Sequence, residues 1–255
     1  MTVTPELEGK YLYAVVRASD SRGFEAKGIG GRGDPVYTIS DGHLAAVVSD
    51  SPQTEYDNSR RNMMAHQLVL EEVMQSFNLL PVRFGTIATD TAMITEKLLK
   101  ARRNELDHLL EQMRGRVELG LKATWREEVV FREILDENPA IRKLRDGIAR
   151  RPVNSTHFDR IQLGERIAKA MDAKRMVDEQ LILDRLKPFA HKTKLNKPIG
   201  DQMVINAAFL LEQEVEPGLD AAIRQMDAEI GERFRFKYVG PVPPYNFVNI
   251  VVSWN

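Results

Sequence analysis

Leu79-Leu80-Pro81-Val82-Arg83-Phe84-Gly85-Thr86-Ile87 is the stretch on which the reading of the chain turns. Its alternation predicts a strand entered through a proline, with Leu80, Val82, Phe84 and Thr86 on one face and Arg83, Gly85 and Ile87 on the other. Arg83 and Gly85 conflict with a strand otherwise made for burial, because glycine weakens a strand and a charge avoids a core. Such a conflict marks a place where another group approaches. The plainer reading is structural: Arg83 as a surface charge whose stem covers its neighbours and whose head finds a carboxylate or carbonyl within the chain, Gly85 as a bulge or close packing point.

Upstream, Tyr11-Leu12-Tyr13-Ala14-Val15-Val16 has the aromatic and β-branched content of a strand. Ser19 to Pro35, with five glycines and no period, reads as a long surface loop. Val36–Ile39 and Leu44–Val48 flank Asp41-Gly42, a hairpin signal because a tight primed turn needs positive φ. From Arg61 to Phe77 the period changes, and Leu70, Val73, Met74 and Phe77 form one helical face with Asp57, Asn58 or Ser59 as cap. Strand, hairpin, helix and strand together predict a ferredoxin-like sheet with one helix on one face, its other face either free or covered by another element.

Downstream, Asp90 or Thr91 opens a second helix over Met93–Met113, and Arg114-Gly115-Arg116 breaks it before an alternating strand, Val117–Ala123. The domain boundary is placed there, giving residues 1–113 and 114–255. Helices follow over Trp125–Leu135 and after Asn138-Pro139. A long helix spans Phe158–Leu186, with Leu163, Ile167, Ala170, Lys174, Val177 and Leu181 as its seam. Lys187–Pro198 reads as a basic connection, Val204–Leu211 as a strand, and Leu219–Ile230 as a helix stopped by Gly231. Phe234, Phe236 and Tyr238 alternate in a strand, Gly240–Tyr245 is a rigid connection, and Phe247–Val252 is a last strand. The fold class is therefore α+β in two domains, the second containing a long helical hairpin.

The 255 residues, 43% hydrophobic and 29% charged, suit two globular domains, and a net charge of −1 offers no global field for nucleic acid or an anionic membrane. Without cysteine there are no disulfides, thiolate nucleophiles or Cys-ligated metals. The polar Met1–Lys10 lacks the apolar core of a signal peptide, and no run approaches the roughly twenty apolar residues of a spanning helix, so a cytoplasmic location is expected. The glycines from Gly28 to Gly33 precede Asp34-Pro35 and a strand, whereas a phosphate-cradling loop precedes a helix. His43, His66, His108, His157 and His191 have no metal-ligand spacing, and Glu71-Glu72 and Glu127-Glu128 read as solvated helix faces. No catalytic, cofactor-binding or metal residue is assigned.

Three stretches together resemble the gas vesicle protein family GvpF/GvpL: Tyr11–Val15, Leu80-Pro81-Val82-Arg83-Phe84-Gly85-Thr86 and Gly240-Pro241-Val242-Pro243-Pro244-Tyr245-Asn246-Phe247-Val248. The resemblance, with the F-type favoured, implies a non-enzymatic accessory component of gas vesicles within the cytoplasm. It also implies contact with the main shell protein, and with other accessory proteins, during vesicle nucleation or assembly, and a ferredoxin-like N-terminal domain before an α+β C-terminal one. Arg83, Phe84, Gly85, Tyr245 and Phe247 become the expected partner-contact residues. An RNA-binding module on an open ferredoxin-like sheet is the alternative, though no aromatic Lys/Arg-Gly-Phe/Tyr-Gly/Ala-Phe pattern supports it.

Overall fold

The computed structural model describes residues 7–248, 250–252 and 254. They divide into two compact units: the residues up to Glu118 with those from Pro241 onward, and Leu119–Gly240. The division falls five residues beyond the expected 113/114 boundary, and the segment after Gly240, expected in the C-terminal domain, groups with the first unit. Both units mix helix and strand, so the α+β class holds.

In the first unit, β1 (Glu8–Arg17), β2 (Gly23–Lys27), β3 (Pro35–Asp41) and β4 (Leu44–Pro52) precede α1 (Arg60–Met74). The short strands β5 (Leu79–Pro81) and β6 (Ile87–Ala88) follow, and the sheet order is β2-β3-β4-β1-β5, with β6 also on β1. Asp41 pairs with Leu44 across a two-residue turn in which Gly42 takes a φ of 65°, as the hairpin signal required. Tyr11–Val16 are all at 0% exposure. A strand buried without alternation must be covered on both faces. Val69, Leu70 and Val73 of α1 pack with Tyr11 and Tyr13 on one side. On the other lies a helical stretch made of α2 (Thr91–Met93), a π-helical segment Ile94–Lys100 and α3 (Arg103–Gln112), which buries Ile94, Leu98, Leu99, Leu106 and Leu110. Of the two expectations for the second face, free or covered, the covered one holds: a second helical stretch fills it, whose apolar positions did not follow one period.

Three further expectations are corrected. The predicted continuous strand from Leu80 stops at Pro81, because proline carries no N–H for the ladder and Gly85, at a φ of 82°, turns the chain before β6. Ser19–Pro35 is not all loop: β2 forms there, and the Glu72 carboxylate accepts the Glu25 and Ala26 N–H groups at 2.7 Å each. The expected last strand, Phe247–Val252, is a turn followed by one parallel bridge between Val82 and Ile250 among the described residues; Asn249 lies outside them, as do Met1 to Glu6.

The second unit contains β7 (Arg116–Trp125), which begins in the first, then α4 (Glu127–Glu137), α5 (Pro139–Ala149) and α6 (His157–Leu186). Next come β8 (Lys192–Leu195), β9 (Met203–Glu212), α7 (Glu216–Ile230) and β10 (Phe234–Val242), in a sheet ordered β10-β7-β9-β8. This β-α-β-β-α-β succession, with its halves interleaved, is the ferredoxin-like arrangement. The expected basic connection thus holds an edge strand, where lysines discourage further pairing. Helix α6, at 30 residues the longest element, departs from the expected seam: Val177 and Leu181 are exposed, while Asp178 and Ile182 are buried. A straight helix drifts off a 3.5-residue spacing, and the buried stripe moves by one residue over its last turns.

Asp178 is buried because it is fully engaged. Its carboxylate accepts the Trp125 indole N–H at 2.8 Å and Arg233 at 3.0 Å, and Arg233 also makes a two-pronged pair with Glu133 at 2.7 and 2.9 Å. Removing one member of a buried pair strands the other. Asp178→Ala is expected to lower the unfolding free energy by about 3 kcal/mol in urea titration, and Asp178→Asn, which keeps an acceptor for the indole, by less.

Candidate functional site

The Tyr11 hydroxyl, on the central strand, accepts the Gly85 N–H at 2.9 Å and lies 3.0 Å from His66 Nδ1 on α1. With one lone pair of the hydroxyl taken by the amide, its own proton is available to Nδ1, an arrangement that suits a neutral imidazole protonated on Nε2. Burial disfavours the charged ring and pushes the His66 pKa down to about 4; burial likewise raises that of Tyr11. The surrounding rings close this knot, with centroids 4.9 Å apart for Tyr11 and Tyr13, 5.7 Å for Tyr11 and Tyr56, and 5.5 Å for His66 and Phe84. Phe84 therefore points inward and anchors its loop.

The loop is held along its backbone. Val82 N–H donates to Tyr13 O at 2.9 Å, Leu12 N–H to Thr86 O at 2.9 Å, Thr86 Oγ1 to Arg83 O at 2.7 Å, and Arg83 N–H to Ile250 O at 3.3 Å. No atom lies within 4 Å of where a Cβ at Gly85 would sit, so the glycine serves the left-handed backbone and not a close approach. Arg83 is exposed, and among the described residues its guanidinium has no hydrogen-bond or ion-pair partner. The internal partner expected for Arg83 is absent there because its alternation-predicted strand neighbours are replaced by a solvent-facing loop.

Tyr245 reaches the same place from the other end of the sequence. The turn after β10 closes through Tyr245 N–H to Pro243 O at 2.7 Å and Val248 N–H to Pro244 O at 2.9 Å. The buried Glu118 carboxylate fastens it, accepting Asn246 N–H at 2.8 Å and Asn246 Nδ2 at 2.6 Å. Glu118 went unmarked in the sequence because it reads as one polar residue of an alternating strand. Burial, then the charges of Glu71 and Glu118, raises the pKa of Tyr245, although its side chain stays partly exposed.

Two clefts result. A groove of about 270 Å³ is lined by Met63, His66 and Gln67 of α1, by Arg83 and Phe84, and by Tyr245 and Val248. A wider cleft of about 650 Å³ begins at Arg83, Phe84 and Gly85 and extends past Tyr56, Thr89 and Trp254. Of the five expected contact residues, Arg83, Phe84 and Tyr245 share the groove, Gly85 lines the wider cleft, and Phe247 is half-buried and lines neither. Among the described residues no three His, Asp or Glu side chains are grouped to hold a metal ion, and no helix is long and apolar enough to cross a membrane.

Residues 9–249 match the family described as gas vesicle synthesis protein GvpL/GvpF. The chain is 33% identical over 242 residues to gas vesicle protein F of Streptomyces sp. (strain CB03234), covering 93% of this chain and 98% of the relative. It is 23% identical over 255 residues to gas vesicle protein L1 of Halobacterium salinarum, covering 94% and 90%. The crystal structure of GvpF from Anabaena sp. PCC7120 superposes with a TM-score of 0.82 at 26% identity, covering 96% of this chain and 99% of that one. GvpF from Microcystis aeruginosa gives 0.76 at 27% identity, covering 94% and 98%.

Two outcomes follow from the knot and its loop. Gly85→Ala is expected to cost about 1–2 kcal/mol in thermal or urea unfolding, from backbone strain alone. Native His66 stays neutral down to about pH 4 whereas the unfolded chain takes its proton near 6.5, so its contribution is complete above pH 6.5 and lost as pH falls to about 4. The wild type is expected to lose about 3 kcal/mol more across that window than His66→Gln; parallel pH profiles for the two would contradict the assignment.

Proposed function

The chain belongs to the gas vesicle synthesis protein GvpL/GvpF family, and from that premise we propose that it is a non-enzymatic accessory component of gas vesicles that binds the main shell protein directly during nucleation or assembly. The observation that carries this reading is the meeting of the Arg83 and Tyr245 stretches, far apart in sequence, on one groove. Nothing in the fold requires Arg83 to be an arginine, since its side chain has no internal partner among the described residues. A cation held on a fixed loop beside an apolar groove is suited to a macromolecular partner.

The shell protein implied by the family resemblance is small and very hydrophobic, and before assembly it exposes apolar surface prone to aggregation. An accessory protein offering a complementary groove delays that aggregation within the cytoplasm and delivers the subunit to the growing vesicle. Contacts with other accessory proteins are compatible with the wider cleft. The RNA-binding alternative needs aromatics on an open sheet face, and Tyr11 and Tyr13 of the first sheet are buried beneath α1.

The immobilised full-length chain is expected to retain purified shell protein in the presence of excess EDTA and nuclease. Failure to retain it contradicts direct binding, and loss of retention on chelation or nuclease treatment contradicts a contact made by protein alone.

A further inference from the structure

We propose that β7 and β10 of the second unit form a basic strip that takes an extended acidic segment of a protein partner, laid along the outer edge of β10. The inference is independent of what the Arg83 groove binds.

The strip is defined by register. β10 is an outer strand of its sheet, with β7 as its neighbour. Arg126 N–H donates to Arg233 O at 2.8 Å at one end of the pair, and a Cβ at Gly120 would lie 3.7 Å from Val239 O at the other. Gly120 to Arg126 and Arg233 to Val239 are equal lengths of chain, so the two strands run antiparallel without a bulge, and Lys122 stands opposite Lys237 and Thr124 opposite Arg235. Side chains alternate between the faces. Leu121, Ala123 and Trp125 of β7 and Phe234 of β10 are buried, which leaves Lys122, Arg235 and Lys237 together on the other, exposed face.

Like charges directly opposite each other destabilise a strand pair. Among the described residues none of these three cations has an ion-pair or hydrogen-bond partner, and the one carboxylate on the two strands, Glu118, is taken by Asn246. Protection of a sheet edge accounts for Arg235 and Lys237, as it does for the lysines of β8, but not for Lys122, which stands on the strand inside. A repulsion kept in the free chain and relieved by incoming negative charge is suited to an acidic partner.

Spacing and backbone select an extended one. Arg235 and Lys237 lie two residues apart, about 7 Å along one face, which is the repeat of alternate carboxylates on a neighbouring strand. With Arg233 O bonded to β7, the alternation of the ladder turns the backbone N–H and C=O groups of Phe236 and Tyr238 toward the outer edge, where no further strand pairs among the described residues. A segment added there gains main-chain hydrogen bonds as well as charge pairs. The cations repel an unselected strand and admit an acidic one. Gly120, Lys122, Thr124, Arg235, Lys237 and Val239 offer no aromatic ring on which a base could stack, so the strip does not suit single-stranded nucleic acid.

The test measures binding of the full chain, by fluorescence anisotropy, to a labelled peptide of alternating threonine and glutamate, to its glutamine counterpart, to an oligothymidylate and to vesicles rich in phosphatidylserine. Binding of the glutamate peptide alone is expected, with protection of the Phe236 and Tyr238 amides from hydrogen exchange when it is bound. Lys237→Glu and Lys122→Glu are each expected to weaken that binding about tenfold or more, and Lys122→Glu to unfold at a temperature no lower than the wild type, since it removes the facing like charge. No binding of the glutamate peptide, equal binding of the glutamine peptide, preference for the oligothymidylate or the vesicles, unchanged exchange at Phe236 and Tyr238, or undiminished binding by both variants overturns the proposal. A lowered unfolding temperature for Lys122→Glu also overturns it, by showing that the lysine serves the fold.

Discussion

One phenol organises the first unit. The Tyr11 hydroxyl joins the central strand to helix α1 through His66 and to the Arg83 loop through the Gly85 amide, so strand, helix and loop share one buried hydrogen-bonded point. A buried hydroxyl, imidazole and amide are each costly when unpaired, and here each satisfies another. The consequence is a loop whose backbone is set before any partner arrives. Phe84 is turned into the ring cluster and Arg83 is left facing out, which separates the residue that anchors the loop from the residue it leaves open to solvent. Preorganisation of this kind lowers the ordering cost of binding.

A second fixed point, Glu118, does for the C-terminal turn what Tyr11 does for the loop. Its two bonds to Asn246 span 128 residues of sequence and bring Tyr245 beside α1. The groove therefore has three walls, each positioned by the core and not by surface chemistry. In the second unit the linked set of Trp125, Asp178, Arg233 and Glu133 plays a comparable structural part between β7, α6, α4 and the chain entering β10.

Elements with one clear period were legible in the sequence: the Asp41-Gly42 hairpin, α1, the ends of α6, and the strands β7, β9 and β10. Readings failed where a tertiary bond overrode a pattern. Leu80, Val82, Phe84 and Thr86 alternate as a strand does, but the register ends at Pro81 and Tyr11 replaces the lost ladder at Gly85. The helix over the far face of the first sheet was seen while its burial was not, because its π-helical stretch shifts the apolar residues out of a 3.6-residue spacing. Arg83, Phe84 and Tyr245 were identifiable through their motifs, yet nothing local to either motif indicated that they share a groove. Glu118 and His66 carry no sequence signal, since their roles exist only through partners 128 and 55 residues away.

The central claim is that the Arg83 loop and the Tyr245 turn form one preformed contact surface. Amide hydrogen exchange of the full chain, alone and with purified shell protein, tests it most directly. The account predicts that the Val82 and Gly85 amides are already protected in the free chain, and that protection on binding increases at Arg83 to Thr86, at Tyr245 to Val248 and along the Met63 to Leu68 turn of α1. Protection gained only in α6 or at β10, with those three stretches unchanged, would contradict it.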